Sequence, residues 1–482
     1  MTKQLFAKPP QSPKTPSFTA YELSNGFHYI YQEYPKGQST STIHILCKAG
    51  SLYETVEQHG IAHLLEHLLF TVPLSHPVKN TTTLNILRFF DETGATLHAF
   101  TTIPYTIYTI TCLTKFLHDT LQILSHILLD RKTLFQSIPV KDCERECNVL
   151  REEMAYEHAD VKNITYDVVR THLYDQSAST NEIHPLLHTK RKELLAFYMK
   201  YYTPEHIYCS IVTSIAWSSV HKTIVQSLFG KTTRNNNNNN TTTTLISNEK
   251  RIYPREFQYM PTIKPNESTS YIIMGFPICG LEDIDGTHTF LFVRYMLNRL
   301  NGRLFTILRQ RHGLAYQFYC EIESDQTNGY FSLNVHTIPT NVLLQKTPTK
   351  SVLHILMKLY QNILTNGFTT KEIDETKEYI RNMLLIKQQE GTQDVAEYNA
   401  FLLMSHTDGR RRRPKVIPHK DLYKTHYNNM TNERILHYMR QYIRIPVRMM
   451  LAITGRAPPT RDEVERVCLA QPPYPQSEYR KE

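Results

Sequence analysis

The sequence has no apolar run approaching the roughly 20 residues that span a bilayer, so no transmembrane helix and no membrane partner are expected. It has no Cys-x-x-Cys. Its eight cysteines stand at 47, 112, 143, 147, 209, 279, 320 and 468. Thiols so scattered in a large chain argue against a disulfide framework and for buried small hydrophobes in a reduced compartment. Glycine is scarce at 16 of 482 residues, which excludes a collagenous chain. Charge of one sign is also lacking. Lys+Arg minus Asp+Glu is 54 − 45 = +9, too mild and too dispersed to predict a nucleic-acid partner. Residues Met1 to Phe18 contain no apolar stretch, which excludes a secretory signal, and no arginine. Pro9, Pro10, Pro13 and Pro16 break any amphipathic helix there, so residues 1–19 are read as a disordered arm, with a targeting signal, which would share the lack of acidic residues, as the alternative.

The length is too great for one ordinary core, since single cores stop growing near roughly 250–300 residues. The tract KTTRNNNNNNTTTT at 231–244 has no side chains to bury and divides the chain near its middle. The flanking halves share an order of elements. Strand-like runs open at Ser41–Cys47 and Ser270–Phe276. Further strand runs follow at Leu97–Phe100 and Tyr105–Cys112, and at Ala315–Glu323 and Gly329–Val335. Amphipathic helices come next, over 116–130 and 141–158, or 350–363 and 370–389. A last strand closes each half, His206–Thr213 or Val447–Thr454. This pattern predicts an α+β fold of two homologous half-domains, each a mostly antiparallel sheet with helices packed on one face. The expected boundaries are 20–230 and 251–470, with a linker at 231–250 and a tail at 471–482.

The stretch from His59 to Phe70 carries chemistry. Ile61, Leu64, Leu65, Leu68 and Leu69 follow helical spacing, and His63, Glu66 and His67 fall at i, i+3 and i+4 on one face. Two imidazoles one turn apart can both reach one Zn²⁺, and a carboxylate beside them can serve as a base. The bland alternative is the polar edge of an amphipathic helix. A catalytic zinc site needs a third protein ligand. The glutamate-rich helix at 141–158 offers Glu146 and Glu153, two turns apart on a row shared with Val149 and Leu150. A glutamate on an apolar face needs a partner, and a metal is one. Glu144, Glu152 and Glu157 read as ordinary solvated surface.

Gly50 to Phe70, GSLYETVEQHGIAHLLEHLLF, resembles the start of the pitrilysin/insulinase superfamily of zinc peptidases. Four further landmarks follow in the family's order. They are His98-Ala99-Phe100-Thr101, then Glu146 to Glu153, then His184-Pro185-Leu186 with Leu194 to Pro204, and then Asn301 to Tyr316 with its Arg309…Gly313-Leu314-Ala315-Tyr316. The resemblance spans about residues 20–460. It implies a zinc endopeptidase with one Zn²⁺ per chain held by His63, His67 and Glu153. It implies Glu66 as general base, and Glu146 as an outer carboxylate that orients the site. Arg309 and Tyr316 would hold the substrate backbone and the oxyanion, facing the zinc from a partner chain. The strand His98, Ala99, Phe100, Thr101 would bind an extended peptide at its edge. Because zinc motif and Arg/Tyr element occur in one chain, a homodimer enclosing a chamber is expected, with a heterodimer of related chains as the alternative. The rival function is a non-catalytic structural or assembly subunit of the same superfamily. The expected compartment is the cytoplasm, with the mitochondrial matrix as the alternative.

The sequence departs from the family pattern in places. His67 and Glu153 are 153 − 67 = 86 positions apart, longer than the family's spacing, and an insertion at 72–83 accounts for it. Cys147 stands where the family has a basic residue, and with Cys143 is an alternative pair of soft ligands. His98 replaces an asparagine on the edge strand. Arg410 to Lys415 is read as a solvated basic loop. His59 is read as capping or packing at the helix start.

Overall fold

The computed structural model describes residues 3–8, 18–34, 39–55, 58–71, 74–75, 83–102, 104–130, 140–157, 159–174, 191–233, 256–324, 328–343, 350–390, 392–407 and 421–468. The chain divides into two compact units. The first comprises Met1–Met154, Glu182–Ser247 and Leu385–Lys420, and the second Ala155–Asn181, Asn248–Leu384 and Asp421–Glu482.

In the first unit the strands are β1 (Lys3–Lys8), β2 (Phe18–Glu22), β3 (His28–Glu33), β4 (Thr40–Cys47), β5 (Leu74–Ser75), β6 (Thr83–Leu84), β7 (Thr96–Thr101), β8 (Thr106–Leu113) and β9 (Ile207–Thr213). β5 and β6 pair only with each other. The rest form a seven-stranded sheet in the order β1-β2-β3-β9-β4-β8-β7. Only the β3–β9 pair is parallel. In the second unit β10 (Gln258–Ile263), β11 (Ser270–Cys279), β12 (Ala315–Ser324), β13 (Asn328–Thr337) and β14 (Met450–Gly455) follow the order β10-β14-β11-β13-β12, with only β10–β14 parallel. The order β3-β9-β4-β8-β7 repeats in β10-β14-β11-β13-β12, one strand for one. The internal duplication inferred from element order is therefore present in the hydrogen-bond topology.

The helices are α1 (Ile61–Thr71), α2 (Ile86–Thr93), α3 (Leu117–Leu129), α4 (Val140–Glu157), α5 (Val161–Tyr174), α6 (Arg191–Tyr201), α7 (Trp217–Gln226), α8 (Leu228–Lys231), α9 (Ile284–Asn298), α10 (Pro339–Val342), α11 (Val352–Asn366), α12 (Thr370–Glu390), α13 (Gln393–Thr407), α14 (Asn432–Tyr442) and α15 (Arg461–Cys468). No helix among the described residues is long and apolar enough to cross a membrane. The first core packs Leu64, Leu65, Leu68 and Leu69 of α1 and Leu121, Leu124 and Leu128 of α3 against Ile43 and Ile45 of β4. The second packs Phe290 and Val293 of α9 and Leu356 and Tyr360 of α11 against Met274 and Phe276 of β11.

Each sheet is also covered on its other face, by a helix from the opposite half of the sequence. α13 lays Ala400, Leu403 and Met404 on Ala20, Ile30 and Leu46 of the first sheet. α5 lays Val161, Val169 and Leu173 on Tyr271, Ile273 and Ala452 of the second. This explains why β4 and β11 are buried along almost their whole length, with apolar residues facing both ways.

Lys3–Lys8 departs from the expected disordered arm. These six residues pair antiparallel with β2, and all four breaking prolines lie after them. β2, β3 and β10 were not anticipated either. Of the insertion at 72–83, Leu74, Ser75 and Thr83 belong to the β5–β6 ribbon. Its middle, the tract from 234 onward, His184 to Leu186, the 410–415 run and the tail all lie outside the described residues.

Candidate metal centre

α1 begins after Gly60, whose φ of 86° lies in the left-handed region that glycine alone adopts cheaply. Its leucines are fully buried, so rotation about the helix axis is fixed and the opposite stripe is held away from the core. His63 and His67 project from that stripe one turn apart, their rings 4.9 Å between centroids and nearly perpendicular. α4 supplies the carboxylates. Cys143, Glu146, Cys147 and Leu150 form its buried face. Val149 does not belong to it. It is 45% exposed, so the apolar row that pointed to Glu146 and Glu153 rests on Leu150.

Glu153 Oε2 lies 3.3 Å from His67 Nε2 and 3.9 Å from His63 Nε2. One donor atom from each of the three side chains falls within 4.8 Å of the others, a grouping able to hold a metal ion. Tetrahedral donors at roughly 2.0–2.1 Å from zinc stand roughly 3.3–3.4 Å from each other, so the separations fit with small adjustment. The chemistry of the set fits as well. Burial, helped by the neighbouring His67, holds His63 below the ordinary imidazole range, which keeps its lone pair free to ligate. Glu153 brings one negative charge to the pair of imidazoles. Cys143 and Cys147 stay outside the group, and burial pushes both thiols up, away from the thiolate form a metal needs.

Two carboxylates flank the triad. Glu146 Oε2 lies 3.6 Å from His67 Nδ1, the nitrogen turned away from Glu153. Its other oxygen receives the Nε and Nη2 groups of Arg145, each at 3.2 Å, while Arg145 Nη1 reaches Asp142 at 2.6 Å. Glu66 is buried. Thr101, the last residue of β7, donates its hydroxyl to Glu66 Oε2 at 2.7 Å. Desolvation pushes the Glu66 carboxyl up to about 7, opposed by the Thr101 hydrogen bond and assisted by the charge of Glu153. A divalent cation beside it would pull that value back down.

Among the described residues β7 is an edge of the first sheet and pairs only with β8. Its side chains alternate. His98 and Phe100 are exposed, while Leu97 and Ala99 pack on the core side, the side to which Thr101 turns. Arg309 and Tyr316 belong to the second unit. Arg309 rides on a π-helical turn, Phe305–Arg311, anchored by buried Leu308. Its guanidinium lies 5.3 Å from the Phe305 ring centroid and 4.7 Å from that of Tyr316, which is 74% exposed. The stack displays a cation and a phenol side by side.

Sequence reasoning missed three participants. Thr101 was seen only as part of an edge strand, Arg145 not at all, and Glu54 only as part of a family stretch. The i, i+1 step from Arg145 to Glu146 was a visible signal. His59 Nδ1 lies 3.5 Å from Glu54 Oε2 at the helix start.

Comparison with known proteins adds a second line of observation. Residues 29–185 match the family model described as insulinase, peptidase family M16, and residues 189–380 the one described as peptidase M16 inactive domain. An uncharacterized zinc protease of Bacillus subtilis, YmxG, is 24% identical across 80% of this chain and 88% of its own. A probable mitochondrial-processing peptidase subunit beta of Schizosaccharomyces pombe is 28% identical across 84% and 85%. The crystal structure of a protease from Helicobacter pylori superposes with a TM-score of 0.76 at 15% identity, covering 92% of this chain and all of that one.

Proposed function

Because this chain belongs to the insulinase family of peptidases, family M16, we propose that it is a zinc-dependent endopeptidase acting on peptides or unfolded polypeptides. The observation that carries the reading is the convergence of His63, His67 and Glu153 with Glu66 beside them.

One zinc per chain would be held by an imidazole nitrogen of His63, one of His67 and a carboxylate oxygen of Glu153. Bound zinc supplies Lewis-acid chemistry, which makes water nucleophilic near neutral pH and polarises the scissile carbonyl. Glu66 takes the proton of the attacking water and hands it to the leaving amine. With Oε2 held by Thr101, its Oε1 is the oxygen left to do so. Glu146 orients the His67 ring from outside. An extended substrate adds to the free edge of β7, with His98 and Phe100 on one face of the enlarged sheet and Ala99 and Thr101 on the other. In the dimer of this reading, Arg309 and Tyr316 face the zinc of the other chain and hold the substrate backbone and the developing oxyanion, a role for which a stacked, always-charged guanidinium is suited.

The finer reading is a homodimer enclosing a chamber that admits unfolded chains, in a reducing compartment such as the cytoplasm. The buried, unpaired thiols support the compartment. The mitochondrial matrix and a heterodimer are the alternatives. The description "inactive domain" on the second half is compatible with one rival, a non-catalytic subunit. Metal analysis with hydrolysis of a quenched peptide, with and without chelator, separates the two. One zinc per chain and chelator-sensitive cleavage support the peptidase, and a chain that takes up no zinc is the rival.

A further inference from the structure

We infer that Glu54 is a positioning residue for the metal centre, a buried strut that sets α1 against the β7–β8 hairpin. The inference rests on the proposed zinc site. Glu54 lies in the segment joining β4 to α1, and its side chain is 3% exposed. Its Oε2 accepts the Gly60 amide and its Oε1 the Ala62 amide, both at 2.8 Å. These amides open α1, where no intrahelical carbonyl reaches them. A carboxylate there also meets the positive end of the helix dipole.

The other end of the same segment is tied to the hairpin. The Ser51 amide donates to the Thr102 carbonyl at 3.2 Å, and the Thr106 hydroxyl donates to the Ala49 carbonyl at 3.0 Å. The Tyr201 hydroxyl donates to the Tyr53 carbonyl at 3.3 Å, which holds the middle. Residues 49–54 therefore run from the end of β7 to the first turn of α1. The Thr101–Glu66 hydrogen bond closes the circuit from the opposite side. With both links made, α1 can neither slide along its axis nor rotate against β7. His63 sits one residue beyond the Ala62 amide that Glu54 holds.

Glu54→Gln isolates the role. The carboxamide keeps the volume but has one acceptor oxygen, and its NH₂ faces an N–H group. The measurement is zinc affinity by chelator competition, together with kcat, KM and Tm. Glu54→Gln is expected to raise the zinc Kd about tenfold to a hundredfold, as loss of an outer partner does. kcat falls and KM changes little. Asn85→Ala is the control. Asn85 accepts the Arg88 amide at the start of α2, so its loss lowers Tm and leaves zinc affinity unchanged. Glu54→Gln binding zinc within twofold of the wild type overturns the inference and leaves the zinc site standing. A wild-type chain that binds no zinc overturns the site and the inference together. Where Glu54→Gln does not fold, hydrogen exchange of the metal-free wild type decides. Protected Gly60 and Ala62 amides support the strut, and amides exchanging at the free rate refute it.

Discussion

Thr101 Oγ1 sits 2.7 Å from Glu66 Oε2, so the last residue of an edge strand fixes the carboxylate between two candidate metal ligands. Thr101→Val keeps the shape and the β-branching but removes the donor. The freed carboxylate samples more rotamers, and the proton acceptor is misplaced. The expected result is a fall of about tenfold in kcat at unchanged zinc content, since misplacing a catalytic group by about 1 Å costs up to about a hundredfold. Unchanged kcat in Thr101→Val shows that the hydrogen bond is structural only.

Glu66→Gln removes the base and keeps the volume. Zinc stays bound, because His63, His67 and Glu153 are intact. Hydrolysis falls by about a hundredfold to ten-thousandfold, the range for general-base catalysis. Cleavage by Glu66→Gln at the wild-type rate would falsify the base assignment.

Glu146→Gln tests the outer carboxylate. Its Oε2 is 3.6 Å from His67 Nδ1, and Arg145 holds its other oxygen. Loss of the carboxylate oxygen beside Nδ1 loosens the aim of the His67 ring, and zinc Kd rises about tenfold to a hundredfold. Arg145→Met frees Glu146 to turn and moves the Kd in the same direction by less. Chelator competition measures both, and equal affinity in all three chains removes Glu146 from the site.

The centre was more legible in sequence than its surroundings, for a geometric reason. His63, Glu66 and His67 lie on one helix face by arithmetic, and Glu146 and Glu153 share a face at two turns. Local spacing encodes such positions. Thr101, Glu54 and Arg145 act through contacts that form only once β7, α1 and α4 are assembled. The swap of α5 and α13 was equally invisible. An amphipathic helix announces that it has an apolar face, not which sheet that face covers. β3 escaped because its partner β9 lies more than 170 residues away in sequence, and β2 because, among the described residues, it pairs only with β1 and β3.

That swap is testable. Leu403 of α13 is fully buried against the first sheet, in a cluster with Ala20, Ile30 and Leu46. Leu403→Ala is expected to cost about 2–5 kcal/mol, as a buried leucine truncation does. Leu385, on α12, is 51% exposed, and its truncation should stay within about 0.5 kcal/mol. Denaturant melts of the two variants check this. Equal stability would mean that α13 does not rest on the sheet.

Acid should weaken the fold through His44. This side chain of β4 is buried, and Thr109 Oγ1 lies 2.8 Å from its Nδ1. Desolvation lowers its pKa from 6.5 to about 4. The folded protein therefore keeps His44 neutral while the unfolded chain binds a proton below 6.5. The unfolded state holds more protons between those limits, so stability rises with pH across that window. The contribution is fully present above about pH 6.5 and is lost as pH falls toward about 4. At pH 5 the loss is about 2 kcal/mol, from 1.36 kcal/mol per unit of displacement. His288, in the second unit, is pushed in the same direction by burial and by the stacked His426, whose ring centroid is 3.7 Å away. Denaturant melts of metal-free protein at pH 7 and pH 5 read the slope, to which His63, lowered by burial, adds and Glu66, raised by burial, subtracts, so the His44 share is read as the difference between wild type and variant. His44→Asn is expected to flatten it by the His44 share while leaving the His288 share. A slope identical in His44→Asn and wild type would show that His44 is hydrated in the folded state.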